Sequence, residues 1–365
     1  MKRLLPSLFL IIFSPLLYAQ PATEASLPAI QIHLTDSVRC TEIKDQAGSP
    51  TCWVFGSNSL FESDLLKKSG KQFNLSEMFI ARYAYIDKAK QFLASKGKTY
   101  FEGGGQFHDV LRIIDKYGMV SEEAYTGRPN GEKNHNHSGL DTAMKKFIHG
   151  LLKQGKTELN ENELRQVNDT LDHYLGKVSE TFWYDMKPYT AKTFGKELVP
   201  SITDYVEVMS FADLPYYKKC LLDDKFNWAG DSLYNIPLED FQMLVDTALA
   251  KGWSVGWEGD VTEPGFNFWS GYAIISDPIK QYTEERLQNF KNGTTERDHM
   301  LHLVAVGRDD NNRKWYYLKN SWGSEWFSKF HGFLYMQEDY FRLKTVIMML
   351  NKAALPQSLK EKLEL

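Results

Sequence analysis

Cysteine is scarce in this chain: only Cys40, Cys52 and Cys220 occur in 365 residues. A small disulfide-stapled scaffold is therefore excluded. The odd count also leaves at least one thiol over: if Cys40 and Cys220 pair, Cys52 remains. Long apolar runs are lacking as well, and beyond the first twenty residues no segment is hydrophobic enough to span a bilayer. A basic excess is missing. The 43 Lys and Arg against 47 Asp and Glu give a net charge of −4, and losing Lys2 and Arg3 takes it to −6, which removes the electrostatic case for nucleic acid. Internal repeats and low-complexity tracts are absent too.

What is present suits a large globular protein. Hydrophobic residues make up 42% and aromatics 14%, and the length is comfortable for two compact units. Lys2 and Arg3, the apolar stretch Leu4–Tyr18 broken by Pro6 and Pro15, and Leu17-Tyr18-Ala19 read as an export leader, residues 1–19, cleaved near Ala19. Export to the periplasm or the medium, with no stable membrane anchor, is the expectation. Residues 20–37 form an N-terminal arm, loose from Gln20 to Leu34.

Periodicity then separates two halves. Residues from about Cys52 to Gly70 look helical, with Lys67 and Lys68 in the last turn and Gly70 as the cap. A second helix spans Leu75 to Leu93, capped by Asn74 or Ser76, and a third runs from Val110 to Tyr117. Thr142–Leu152 and Glu161–Leu175 are helical within a polar stretch of 127–240. From Trp253 onward strands dominate: Trp253–Trp257, His299–Val306 and Lys314–Lys319. The expected architecture is α+β with two lobes: a helical lobe over 38–126, a helical insertion over 127–240 and a β-rich lobe over 241–365.

Cys52 follows the turn Gly48-Ser49-Pro50 and opens the first helix. A thiol there meets the positive end of the helix dipole and free backbone N–H groups, both of which favour the nucleophilic thiolate. The alternative is a structural buried cysteine. His299 and Asn320 lie at the ends of two strands joined by the polar turn Arg308–Asn312. A turn centred near Asp309 and Asp310 would set them opposite each other, where the amide could orient the imidazole. His302 falls on the other face of the strand and reads as packing. His135 and His137 alternate in a polar loop without a third ligand, so no metal or other cofactor is expected. His33, His108, His149, His173 and His331 carry no functional signal.

Three motifs, in order, resemble the papain superfamily: Gln46 with Cys52-Trp53 six residues on, Gly103-Gly104-Gly105-Gln106, and Asp298-His299 followed by Asn320-Ser321-Trp322-Gly323. The match covers roughly residues 38–125 and 245–355. It implies a papain-like two-lobe fold and a cysteine peptidase acting on peptides. In it Cys52 attacks the carbonyl, His299 shuttles the proton, Asn320 orients His299, and Gln46 with the Cys52 N–H holds the oxyanion. Trp322 shields the histidine at the substrate side, and Gly104 and Gly105 bind substrate backbone. The 247 residues from Cys52 to His299 exceed papain's spacing, and the insertion resembles the bleomycin hydrolase and aminopeptidase C branch. So do Asn74–Glu77, Trp253–Trp257 and Ala354–Pro356.

That branch is usually cytosolic and often hexameric. The leader points outside the cytoplasm, and a homo-oligomer is compatible with the resemblance. Members carry a C-terminal tail that confines them to chain ends. The sequence stops at Leu365, near where that tail would begin, so a relaxed restriction with endopeptidase activity stands beside aminopeptidase activity. Two alternatives remain: a catalytically inactive papain-like peptide-binding module, against which the filled mechanistic positions argue, and acyl transfer to an amine.

Overall fold

The computed structural model of the chain describes residues 30–324 and 328–365; the expected leader lies outside them. Helix α1 (Cys52–Ser69) has no amphipathic stripe, because every residue from Trp53 to Leu66 is buried. Such a helix needs cover on all sides, and its polar residues need partners. Glu62 receives Lys44 Nζ at 2.9 Å, and Asp64 receives the Tyr205 hydroxyl at 2.9 Å. Ser59 Oγ lies 2.8 Å from His302 Nδ1. Gly70, at φ +72°, ends the helix in the left-handed conformation.

Two helices cover one side of α1. Helix α2 (Glu77–Ala94) is capped by Ser76, whose Oγ accepts from the Phe79 N–H, and α3 (Phe107–Tyr117) follows the glycine loop. The polar stretch adds α4 (Ser138–Lys153), α5 (Glu161–Leu175) and α6 (Ala191–Leu198), and α7 (Leu238–Ala250), α8 (Tyr282–Lys291), α9 (Glu338–Lys344) and α10 (Gln357–Lys362) come later.

The other side of α1 meets a sheet. In chain order the strands are β1 (Ile32–Ser37), the separate hairpin β2 (Phe182–Tyr184) and β3 (Lys187–Tyr189), then β4 (Tyr205–Met209), β5 (Lys218–Leu221), β6 (Ser232–Asn235), β7 (Val255–Gly259), β8 (Phe266–Asn267), β9 (Tyr272–Ala273), β10 (His299–Asp309), β11 (Lys314–Lys319), β12 (Phe333–Gln337) and β13 (Thr345–Asn351). Among the described residues eleven strands form one sheet, ordered β5-β6-β4-β13-β7-β10-β11-β12-β9-β8, with β1 paired to β10. At Gly56 a Cβ would stand 3.3 Å from Met300 Cβ, so the absent side chain lets α1 lie directly on β10, beside His299.

Several expectations are revised. The stretch 127–240 is not only helical: it ends in β4, β5 and β6, which extend the sheet. Short strands of mixed polarity give no alternating signal. Part of the loose arm is β1, held along β10 by backbone pairing. Cys40, Cys52 and Cys220 are all free thiols, so the Cys40–Cys220 pairing is not made. The β10–β11 turn centres on Asn311, not on Asp309 and Asp310. Asp309 Oδ1 accepts from both Asn311 N–H and Arg313 N–H, each at 2.9 Å, and a bulge lies further back in β10 between Leu303 and Ala305. His299 therefore pairs across strands with Gly259, not with Asn320.

His135 and His137 have no third His, Cys, Asp or Glu grouped with them among the described residues. They are buried, and their backbone holds the nucleophile loop: Gly48 N–H donates to the His135 carbonyl at 2.9 Å, and His137 N–H donates to the Gly48 carbonyl at 3.0 Å.

Burial pushes the imidazoles of His135 to about 3, and of His137 and His299 to about 4, from 6.5; His302 is also lowered well below 6.5, by burial and by Lys319. His108 moves the other way, to about 9, because Glu207, Asp109 and Asp231 together outweigh its burial. A depressed imidazole takes up its proton on unfolding, so its contribution is complete above pH 6.5 and is lost as pH falls toward 4. Each such histidine costs up to about 1.4 kcal/mol of unfolding free energy per pH unit over that interval, while buried carboxyls such as Asp64 and Glu258, raised to about 7 and about 8, act in the opposite sense. In urea titrations the stability difference between wild type and His137→Gln should therefore fall with pH over the interval, and a constant difference would contradict neutral burial of His137.

Candidate active site

Cys52 heads α1, whose first turn carries no acidic residue to compete for the positive helix end. The loop before it is strained at Ala47, φ +44°, and is braced by Ser49 Oγ donating to the Gln46 carbonyl at 2.7 Å. His299 opens β10 and is buried. Its Nε2 lies 2.8 Å from Asn320 Oδ1, just past the end of β11, and the same oxygen accepts the Ser321 N–H at 2.7 Å. With Nε2 so engaged, Nδ1 is the nitrogen left for a proton exchange. Trp322 lies over the imidazole, ring centres 4.6 Å apart, and Phe268 meets Trp322 edge-on at 4.9 Å.

Cys52 and His299 line one recess, together with Trp53, Gly104, Gly105, Phe226, Glu258 and Arg297. Gly104 and Gly105 therefore lie beside the thiol. At Gly105 a Cβ would run into the Trp53 ring at 2.8 Å, so only glycine lets this loop approach. Trp53 Nε1 donates to the Gly103 carbonyl at 2.9 Å, and Lys88 Nζ donates to the carbonyls of Glu102 and Gly104. Trp322, expected at the substrate side, covers the imidazole and does not line this recess.

Sequence reasoning missed one residue in particular. Ser321 Oγ donates to Gln46 Oε1 at 2.7 Å, and the Gln46 N–H donates to the Ser321 carbonyl at 2.8 Å. The carboxamide is thus turned with its NH₂ away from Ser321, where one hydrogen reaches the Ser49 carbonyl at 3.0 Å. Ser321 was visible inside the Asn-Ser-Trp-Gly run, but its contact joins residues far apart in the chain.

Neither pole ionises by itself. Burial pushes the Cys52 thiol up to about 12, with Glu258 and Asp298 adding to it against the Met300 and Trp53 backbone N–H groups, and burial holds His299 at about 4.

A thiol at the head of a buried helix, sharing a recess with an amide-held imidazole on an adjoining sheet, defines the papain-like class. The chain belongs to the Peptidase C1-like family of cysteine peptidases, whose pattern matches residues 23–365. It is similar to aminopeptidase C of Lactobacillus delbrueckii subsp. lactis, 24% identical over 93% of this chain and 86% of that protein. It is also similar to bleomycin hydrolase of Mus musculus, 21% identical over 88% of this chain and 82% of that one. In fold it is similar to PepW from Lactobacillus rhamnosis HN001, with a TM-score of 0.68 and 18% identity, covering 93% of this chain and 85% of that structure.

Ser321→Ala unties the Gln46 carboxamide and leaves its buried oxygen unpaired. A stability loss of about 1–3 kcal/mol is expected in chemical denaturation, with a fall in kcat measured per titrated active site. Unchanged kcat would show that the carboxamide needs no such support.

Proposed function

We propose that this chain is an exported cysteine peptidase that hydrolyses peptide bonds through a thioester on Cys52, in the manner of an aminopeptidase. The observation that carries it is the His299 Nε2–Asn320 Oδ1 bond of 2.8 Å beneath Trp322, on an imidazole that lines the same recess as the thiol. The thiol proton passes to His299 Nδ1 as the sulfur attacks the peptide carbonyl. The Cys52 N–H and the Gln46 carboxamide meet the developing oxyanion. Collapse expels the amine, which takes the proton from His299, and leaves a thioester. Water then gives its proton to His299 and its oxygen to the acyl carbon; the acid leaves and the thiol is restored.

The leader supports export, and hydrolysis in place of transfer to an amine is a matter of product analysis. Aminopeptidase activity is supported by the names of the relatives.

An epoxide inhibitor of cysteine peptidases is expected to label Cys52 alone, as read by peptide mass spectrometry, and His299→Ala should abolish the labelling. Folded wild-type protein that stays unlabelled would defeat the peptidase assignment. Gln46→Ala is expected to lower kcat about 10²- to 10³-fold, and the intact mass of exported protein should begin at Gln20.

A further inference from the structure

The recess beside the thiol is small. It holds about 40 Å³, against about 300 Å³ or more for most ligand sites. Asn320 and Trp322, which back the imidazole that protonates the leaving amine, do not line it. It therefore lies on the acyl side of the bond to be cut. Its other wall is the loop 222–231 between β5 and β6. Phe226 of this loop stands against the glycine loop: a Cβ on Gly104 would sit 3.3 Å from its ring, and Tyr100 meets it edge-on at 4.9 Å.

The loop is pinned at both ends. Asp224 pairs with Arg297, two residues before His299, and Asp231 pairs with Arg112 on α3. Trp228 Nε1 donates to Asp109 Oδ2 at 2.9 Å. Within the loop, Asn227 Nδ2 donates to the Asp231 carbonyl at 2.8 Å, and its Oδ1 accepts the Asp231 N–H at 2.9 Å.

Glu258 lies on β7, paired with Met300, and is 3% exposed. Its Oε1 is 3.3 Å from Arg297 Nε, while its Oε2 accepts no hydrogen bond. Asp298 Oδ2 also has no partner. Around Glu258 the acidic groups Asp224 and Glu207 face the cations Arg297 and His108. Burial raises the Glu258 carboxyl to about 8 despite Arg297, so the free site holds it as the neutral acid at pH 7, and a cation arriving beside it would favour the ionised form.

We propose that Phe226 and Glu258 set the specificity of the reaction: the loop 222–231 cuts the acyl side of the cleft short, and the unpaired oxygen of Glu258 takes a substrate cation there. The assignment rests on the peptidase chemistry proposed above. Two substrate groups supply such a cation, the free α-ammonium of a chain end and a Lys or Arg side chain close to the scissile bond.

Four fluorogenic peptide amides separate the two sources: Lys or norleucine as the residue before the cleaved bond, each with its amino group free or N-acetylated. In the wild type, kcat/KM is expected to be at least about 10-fold higher for a cation-bearing peptide than for the acetylated norleucine peptide. Free against acetylated reports the chain end, and Lys against norleucine in the acetylated pair reports the side chain. Phe226→Ala should raise the acetylated norleucine peptide relative to the preferred one by about 10-fold, and Glu258→Gln should collapse the preference for the cation. All rates are taken per active site titrated with the epoxide, so unfolded molecules drop out. A wild type indifferent to both cations, or variants that label normally and keep the wild-type ratios, would overturn the inference. Failure of the wild type itself to label would instead sink the peptidase reading.

Discussion

The site depends on how closely α1 can lie on β10. Gly56, one turn into the helix, faces Met300, the residue after His299. A side chain there would press on the strand at 3.3 Å, and packed interiors do not yield such space without strain. Helix start and strand start are thus set by a backbone contact, which places the thiol and the imidazole on one recess from opposite sides of the seam.

Polar groups make that seam specific. Lys44 Nζ joins Glu62 at 2.9 Å, Glu77 at 2.7 Å and the Leu75 carbonyl at 2.9 Å, tying the segment before the nucleophile to α1 and α2. Ser321 ties that same segment to the strand lobe through Gln46. A buried network of this kind is stabilising only when its members are paired, and here the pairing also aims the carboxamide. Positioning and folding rest on the same bonds.

Much of this was legible in the chain itself. The helix heads at Cys52 and Glu161, the Gly70 cap and the span Lys314–Lys319 follow from local rules about dipoles, caps and alternation, and those rules act over a few residues. The motifs around Gln46, Cys52, His299 and Asn320 marked residues that the fold does bring to one region. The β10–β11 register was not legible, because a side-chain-capped turn at Asp309 and a bulge after Leu303 each shift it. The strands β4 to β6 were hidden by their shortness, five, four and four residues. Ser321, Phe226 and Glu258 acquire their positions only through contacts with residues far off in the chain, where periodicity has nothing to say.

The bridge between Gly48 and the chain at His135–His137 bears on the standing of the inserted region. Two main-chain hydrogen bonds stitch its first residues to the loop that delivers the nucleophile, and its last strands complete the sheet edge. Trimming it would remove the backbone partners of Gly48 ahead of Cys52 and bare β13 along the side that β4 covers, so an excised form needs replacements for both contacts.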